Sequence, residues 1–321
     1  MAELFTIDAF NLLLVSFGVG IVVGLTGMGG GALMTPALIF LGIPPAAAVS
    51  NDLVAAAANK TVGAITHARN GSPNLKLAGW LVAGSVPTAF AGAFIIKAVG
   101  GTEEQTQFVK VAIGCALMLT AGTYTLRMYL QLRSVTRGRA VGQEDPAIKP
   151  IPTLLIGVVG GLLVGITSVG SGSLIMVALL LLYPTLQAVK LVGTDLVQAV
   201  PLVMSAAISH VVVHGIDLAI VIPLIIGGSP GTYIGARIAN WVSQAVVRRG
   251  IVIVLSLTSL AMLDVDPTIV GIVGAAMLIL GPVAWGFVRR HHGLPAFEHA
   301  PGDNNGQLTH HTDSSSESSR R

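Results

Sequence analysis

The sequence predicts an all-α polytopic membrane protein of two inverted repeats. Each repeat is a glycine-broken re-entrant helical hairpin followed by three transmembrane helices, and one extra helix sits at the C-terminal end. Three observations carry this prediction. Of 321 residues, 53% are hydrophobic and only 10% are charged, against roughly 25% charged in an ordinary soluble domain, so membrane spans are the units to count. A glycine-rich break, Thr26-Gly27-Met28-Gly29-Gly30-Gly31-Ala32-Leu33, interrupts a long apolar run and returns as Thr167-Ser168-Val169-Gly170-Ser171-Gly172-Ser173-Leu174. The two halves also match well beyond the break. At a shift of 141, Val23 to Thr26 fall on Val164 to Thr167; at a shift of 143, Asp52-Leu53-Val54 fall on Asp195-Leu196-Val197, His67 on His210, and Gly84, Pro87 and Gly92 on Gly227, Pro230 and Gly235. A repeat of this kind fixes architecture before any local argument.

In chain order, Met1 to Asp8 lacks the basic start and cleavage site of a signal peptide and is expected to remain in the mature chain. Apolar segments follow at about 9–41, 45–66, 77–99 and 107–130, making 1–130 the first repeat. The linker, 131–150, holds Arg133, Arg137, Arg139 and Lys149. The pattern restarts at about 151–183, 188–213, 217–241 and 250–263, so 151–265 is the second repeat and 266–290 the extra helix. The tail, 291–321, is rich in Gly, Ser, Asn and His and is expected to be disordered; its histidines have no compact ligand spacing. Cys115 lies in an apolar run and reads as a packed apolar cysteine, giving no disulfide and no cysteine metal cluster.

Basic residues set the orientation. With re-entrant hairpins and a cytoplasmic linker, the loops holding Arg69 and Lys76, Lys190, Arg237, Arg248 and Arg249, and the end at Arg289 and Arg290, all fall inside. Asp217, Asp264, Asp266 and the acidic N-terminus fall outside. One broken crossing helix per repeat would instead place Arg237, Arg248 and Arg249 outside. The ten residues after the break reach only ~15 Å, about half the hydrocarbon core. The expected location is therefore the inner membrane, with the N-terminus outside and the C-terminus cytoplasmic. Trp80, Trp241 and Trp285, near segment ends, fit an interfacial aromatic belt.

Non-helical backbone survives in hydrocarbon only where protein or a water-filled cavity satisfies it. Two broken segments meeting near the midplane follow the plan of secondary transporters, and helix ends aimed into that space present N–H groups and partial positive charge. A small anionic substrate is expected. The substrate-binding candidates are Thr26, Gly27, Gly29, Gly30 and Gly31 with Thr167, Ser168, Gly170, Ser171, Gly172 and Ser173.

Gly24 to Gly31, Ser50-Asn51-Asp52, His67, Gly84-Ser85-Val86-Pro87, Gly227-Gly228-Ser229-Pro230 and their duplication resemble the TauE/SafE family of membrane permeases over about residues 10–288. The resemblance implies transport, usually export, of sulfur-containing anions such as sulfite, sulfoacetate or other organosulfonates. Ser168, Ser171 and Ser173 stand where the first half has Gly27, Gly30 and Ala32, so the two halves of the site are chemically unequal.

The polar intramembrane candidates for coupling are Asn51, Asp52, Asn59, Lys60, His67, Thr194, Asp195, Gln198 and His210. An intramembrane carboxylate costs ~2.5 to 3.5 kcal/mol on insertion scales; Asp52 and Asp195 read either as a proton or cation site or as ties to the backbone of the broken segments. His67 and His210 read either as proton carriers or as histidines bonded to a loop. Lys60 has Val203 as its repeat partner and reads either as a contact for substrate charge or as a snorkelling side chain. Pro87 and Pro230 interrupt matching helices as kinks or hinges, while their flanking glycines serve close packing.

Enzymatic readings fail on context. The first break lacks the strand-helix setting of a dinucleotide loop, and Ser171 with His210 has no activating pattern. No cofactor, metal or nucleic acid is expected. Protons, the lipid bilayer and the anion are the expected partners; the oligomeric state is open, a homodimer included. An anion channel and proton-coupled uptake remain the alternatives to export.

Overall fold

The computed structural model describes residues 7–26, 30–70, 73–136, 147–170, 172–186, 188–239, 241–242 and 244–291. These form eleven helices: α1 (Ile7–Thr26), α2 (Gly31–Phe40), α3 (Pro45–Asn70), α4 (Leu75–Ala98), α5 (Thr102–Thr136), α6 (Pro150–Thr167), α7 (Leu174–Leu182), α8 (Ala188–His214), α9 (Leu218–Ile238), α10 (Gln244–Met262) and α11 (Pro267–His291). Gly27, Met28, Gly29, Ser171, most of the linker and residues 292–321 lie outside the described residues, so the expectations for the tail and for those break positions do too.

Local chemistry sets the helix ends. Asn74 caps α4 by accepting from Leu77 N at 3.0 Å, and Asp217 caps α9 by accepting from Ala219 N at 2.9 Å. α6 begins at Pro150, where a missing N–H is harmless. It ends at Ser168, whose φ of 59° is left-handed and turns the chain out of the helix. α2 and α7, ten and nine residues long, rise only ~15 Å, half of a ~30 Å hydrocarbon core.

Among the described residues, seven helices are long and apolar enough to cross a membrane: α1, α4, α5, α6, α8, α9 and α11. α3 and α10, expected as spans, are less apolar for different reasons. α3 is 26 residues long but carries Ser50, Asn51 and Asp52, all buried by neighbouring helices rather than offered to lipid. α10 opens with Gln244, Arg248 and Arg249, which leaves a shorter apolar stretch from Gly250 to Met262.

α1 packs along α9, and α4 along α6; α3 lies against α8, and α5 against α10. The first two pairs approach backbone to backbone. A Cβ on Gly24 would strike Thr232 O, and one on Gly165 would sit 2.5 Å from Ala89 O. Shifting Gly24 by 141 and Ala89 by 143 interchanges these two contacts. Hydrogen bonds interchange likewise: Asn51 Oδ1 accepts from Asp217 N, and Thr194 Oγ1 accepts from Asn74 N, both at 2.9 Å. Gly84, Gly92, Gly227 and Gly235 all sit where a Cβ would collide with a facing helix, which is the small-residue packing of membrane helices. Pro87 and Pro230 lie inside α4 and α9, which continue through them.

Cys115 is exposed on α5 and not packed as expected. In a membrane protein the outward face is as apolar as the interior, so an apolar neighbourhood in sequence does not distinguish the two.

Candidate functional site

Between the two breaks lies a cavity of about 410 Å³. α1 supplies a wall of small residues, Gly20, Val23 and Gly24; Gly30 and Gly172 contribute at the heads of α2 and α7; α3 places Asp52, Asn59 and Lys60, and α8 places Asp195. Gly228, Thr232 and Ala236 of α9 close the far side. The two broken segments touch, since a Cβ on Gly31 would collide with Ser168.

Asp52 joins the halves. Its Oδ2 accepts from Thr35 Oγ1 of α2 at 2.5 Å and from Ser168 Oγ of the second break at 2.8 Å. Hydrogen bonds to a charged group are worth ~1.5 to 3 kcal/mol each, so this carboxylate is a strong local clamp. Asp195, its repeat counterpart, is held differently: Oδ1 accepts from Gln198 Nε2 at 3.0 Å, one turn along the same helix. Gln198 Oε1 is buried without a hydrogen bond among the described residues. Lys60 projects into the same cavity and feels the charge of Asp195 most strongly, then that of Asp52.

The helix heads have little side-chain satisfaction of their own. Gly30 and Ser173 occupy the cap positions of α2 and α7, and neither makes a side-chain cap hydrogen bond. No acidic residue lies in either first turn. The positive ends of two short helix dipoles therefore border a cavity that also holds Asp52 and Asp195.

Thr26, Thr167, Gly170, Asn51, Thr194 and His210 do not line the cavity. Thr26 Oγ1 donates to Val22 O, and Thr167 Oγ1 to Leu163 O, each closing its own helix in the same way. Gly170 turns the second break at a φ of 105°. Asn51 and Thr194 tie the α8–α9 and α3–α4 loops, as the exchanged bonds show. His210 is fully buried, and its Nε2 donates to Gly165 O at 2.6 Å across the α6 packing face. The backbone at His67 is helical in α3, but its side chain is outside the described residues. Asn59 Oδ1 accepts from Ser229 Oγ at 2.7 Å, linking α3 to α9 beside the cavity.

Sequence reasoning missed Thr35. Its repeat counterpart at a shift of 141 is Met176, so the duplication hides it, and only a lone hydroxyl in a short apolar helix marks it. It also missed that Lys60 of one half and Asp195 of the other line the same cavity, which α3 lying against α8 brings about.

The family model described as Sulfite exporter TauE/SafE matches residues 12–262. The chain belongs to this family. It is 37% identical over 231 residues to the "Probable membrane transporter protein YjnA" of Bacillus subtilis (strain 168), covering 71% of this chain and 89% of that protein. It is 25% identical over 256 residues to the "Probable membrane transporter protein YdhB" of the same organism, covering 78% and 99%. No solved structure matches the chain. As a TauE/SafE protein it is a multi-pass membrane transporter.

Proposed function

We propose that this TauE/SafE transporter is a secondary transporter that moves a small sulfur-containing anion, such as sulfite, sulfoacetate or another organosulfonate, out across the inner membrane by alternating access. The observation that carries this reading is the cavity between two broken segments, bordered by the heads of α2 and α7 and holding Lys60. Helix N-termini and one cation suit an oxyanion, and contact across the breaks gives a layer that can part on either side. The interchange of hydrogen bonds between Asn51–Asp217 and Asn74–Thr194 supports an inverted-repeat plan in which the two sides are equivalent. Basic loops then lie in the cytoplasm, and an inside-negative potential helps an anion leave.

A specific observation favours the alternative, proton-coupled uptake of the same anion class. The cavity holds two carboxylates against one lysine, a net charge of −1 when all three are ionised. Unit charges ~4 Å apart interact by about 4 kcal/mol at an effective dielectric of 20, so an entering anion is repelled unless a proton neutralises Asp52 or Asp195. Proton and anion then move together, in the direction set by their summed gradients.

Purified protein in liposomes tests both. Sulfite, sulfoacetate, taurine, sulfate and chloride are supplied separately, with and without an imposed pH gradient. Saturable flux of a sulfur oxyanion, dependent on the pH gradient and losing that dependence in Asp52→Asn with Asp195→Asn, is the expected result. Non-saturating chloride conductance without sulfur-anion flux would overturn the transporter in favour of a channel.

A further inference from the structure

A second cavity, of about 480 Å³, lies away from the transport site in a groove between α5, α10 and α11. Its body is apolar, lined by Val252 and Ile253 of α10 and by Val273, Ala276, Met277 and Leu280 of α11. Arg249 lines the same groove with Trp285. The Nε of Arg249 is buried and has no hydrogen-bond partner among the described residues, and among them no carboxylate lines the groove. A buried donor without an acceptor costs ~1 to 3 kcal/mol, more when charged, so an acidic oxygen bound there, with an apolar body in the groove, would be stabilised.

We propose that this groove binds one anionic phospholipid, its phosphate on Arg249 and an acyl chain along α11. A guanidinium presents a planar fork of donors matched to phosphate oxygens, and basic pockets between transmembrane helices hold anionic headgroups. From Val273 to Trp285 the groove follows twelve residues of helix, ~18 Å by rise, close to one leaflet's share, ~15 Å, of a ~30 Å hydrocarbon core. The rise places Trp285 about one leaflet from Val273, and Arg249 lines the same groove. Trp285 suits the headgroup level. The groove is open to lipid: only 11% of the apolar window of α11 is buried in the protein.

The test uses the full-length chain with Trp80→Phe and Trp241→Phe, so that Trp285 is the only tryptophan. It is reconstituted in phosphatidylcholine vesicles with increasing fractions of phosphatidylglycerol brominated on its acyl chains, or of brominated phosphatidylcholine. The expected result is saturable quenching of Trp285 at a several-fold lower mole fraction of the anionic lipid. Arg249→Gln removes that preference, and Arg249→Lys keeps part of it. Equal quenching by the two lipids, or a preference that survives Arg249→Gln, would overturn the site. Loss of the preference on adding inorganic phosphate would overturn it in favour of a free-anion site, and cross-linking of Trp285 to a second copy would assign the groove to a dimer contact. Quenching is read at equilibrium without flux, so its failure is distinct from failure of the transport reading.

Discussion

Asp52 and Asp195 occupy the same place in the two repeats and are held in opposite ways. Asp52 gathers hydroxyls from α2 and from the second break, one from each half of the protein. Asp195 is held by a neighbour on its own helix and by the field of Lys60 from the other half. The repeated sequence places two carboxylates beside one cavity; the sequence differences at Thr35, Ser168 and Lys60 accompany cross-break hydrogen bonds at Asp52 and a nearby cation at Asp195. Equivalent backbone positions thus need not have equivalent work, and each variant below presses on one side of that difference.

The largest effect is expected where the breaks touch. Gly31→Ala drives a methyl group into Ser168, and overpacking of this kind costs ~1 to 3 kcal/mol or more. Its neighbour Gly30→Ala meets nothing nearer than Val23 Cγ2 at 3.8 Å and should fold like the parent. Thermal unfolding in detergent should separate them clearly, with Gly31→Ala also abolishing flux. Equal stability of the two variants would mean that the breaks are not in contact.

Next come the carboxylates themselves. Asp52→Asn leaves one amide oxygen for both hydroxyls but removes the charge that strengthens the two bonds, and should lower stability by ~1.5 to 3 kcal/mol. Asp195→Asn still offers an oxygen to Gln198 and should cost ~0.5 to 1.5 kcal/mol. Both should reduce flux. Equal losses of stability would erase the distinction between clamp and counter-charge.

Much of this arrangement was legible before the fold was known. The glycine breaks, the repeat and the two aspartates stand out because backbone needs and buried charge leave marks in a single chain. Thr35, Ser168 as a partner of Asp52, and Lys60 as a neighbour of Asp195 in one cavity did not, because each depends on which helix lies opposite. Asn51 and Thr194 were visible as polar residues, but their work as ties to the loops before α9 and α4 needed the packing of α3 on α8. Cys115 misled for the complementary reason, that lipid and protein interior select the same apolar neighbours.

A smaller effect should come from Ser168→Gly. Ser168 is in the left-handed region at a φ of 59°, which costs an L-residue ~1 to 2 kcal/mol; glycine relieves that strain while removing a hydroxyl from Asp52. The two changes oppose each other, so stability should stay within ~1 kcal/mol of the parent while flux falls. Ser168→Ala loses the hydroxyl and keeps the strain, so it should be the less stable of the two. A Ser168→Gly protein with unchanged flux would show that the clamp on Asp52 is dispensable for transport.

The smallest effect is expected at His210, and it sharpens the comparison by asking whether a repeated polar residue belongs to the site at all. His210 lies outside the cavity lining, and its Nε2 proton is committed to Gly165 O at 2.6 Å. Its ring stacks on that of His214 at 5.3 Å between centroids, and Nδ1 is buried without a partner among the described residues. A histidine so placed ties α8 to α6 where the glycines let the helices close. Glutamine can donate to the same carbonyl, so His210→Gln should cost no more than ~1 kcal/mol and leave the pH profile of flux where it was, while His210→Ala should lose stability without moving that profile. A profile that shifts in His210→Gln would instead put this histidine on the proton's route and make the hydrogen bond to Gly165 secondary.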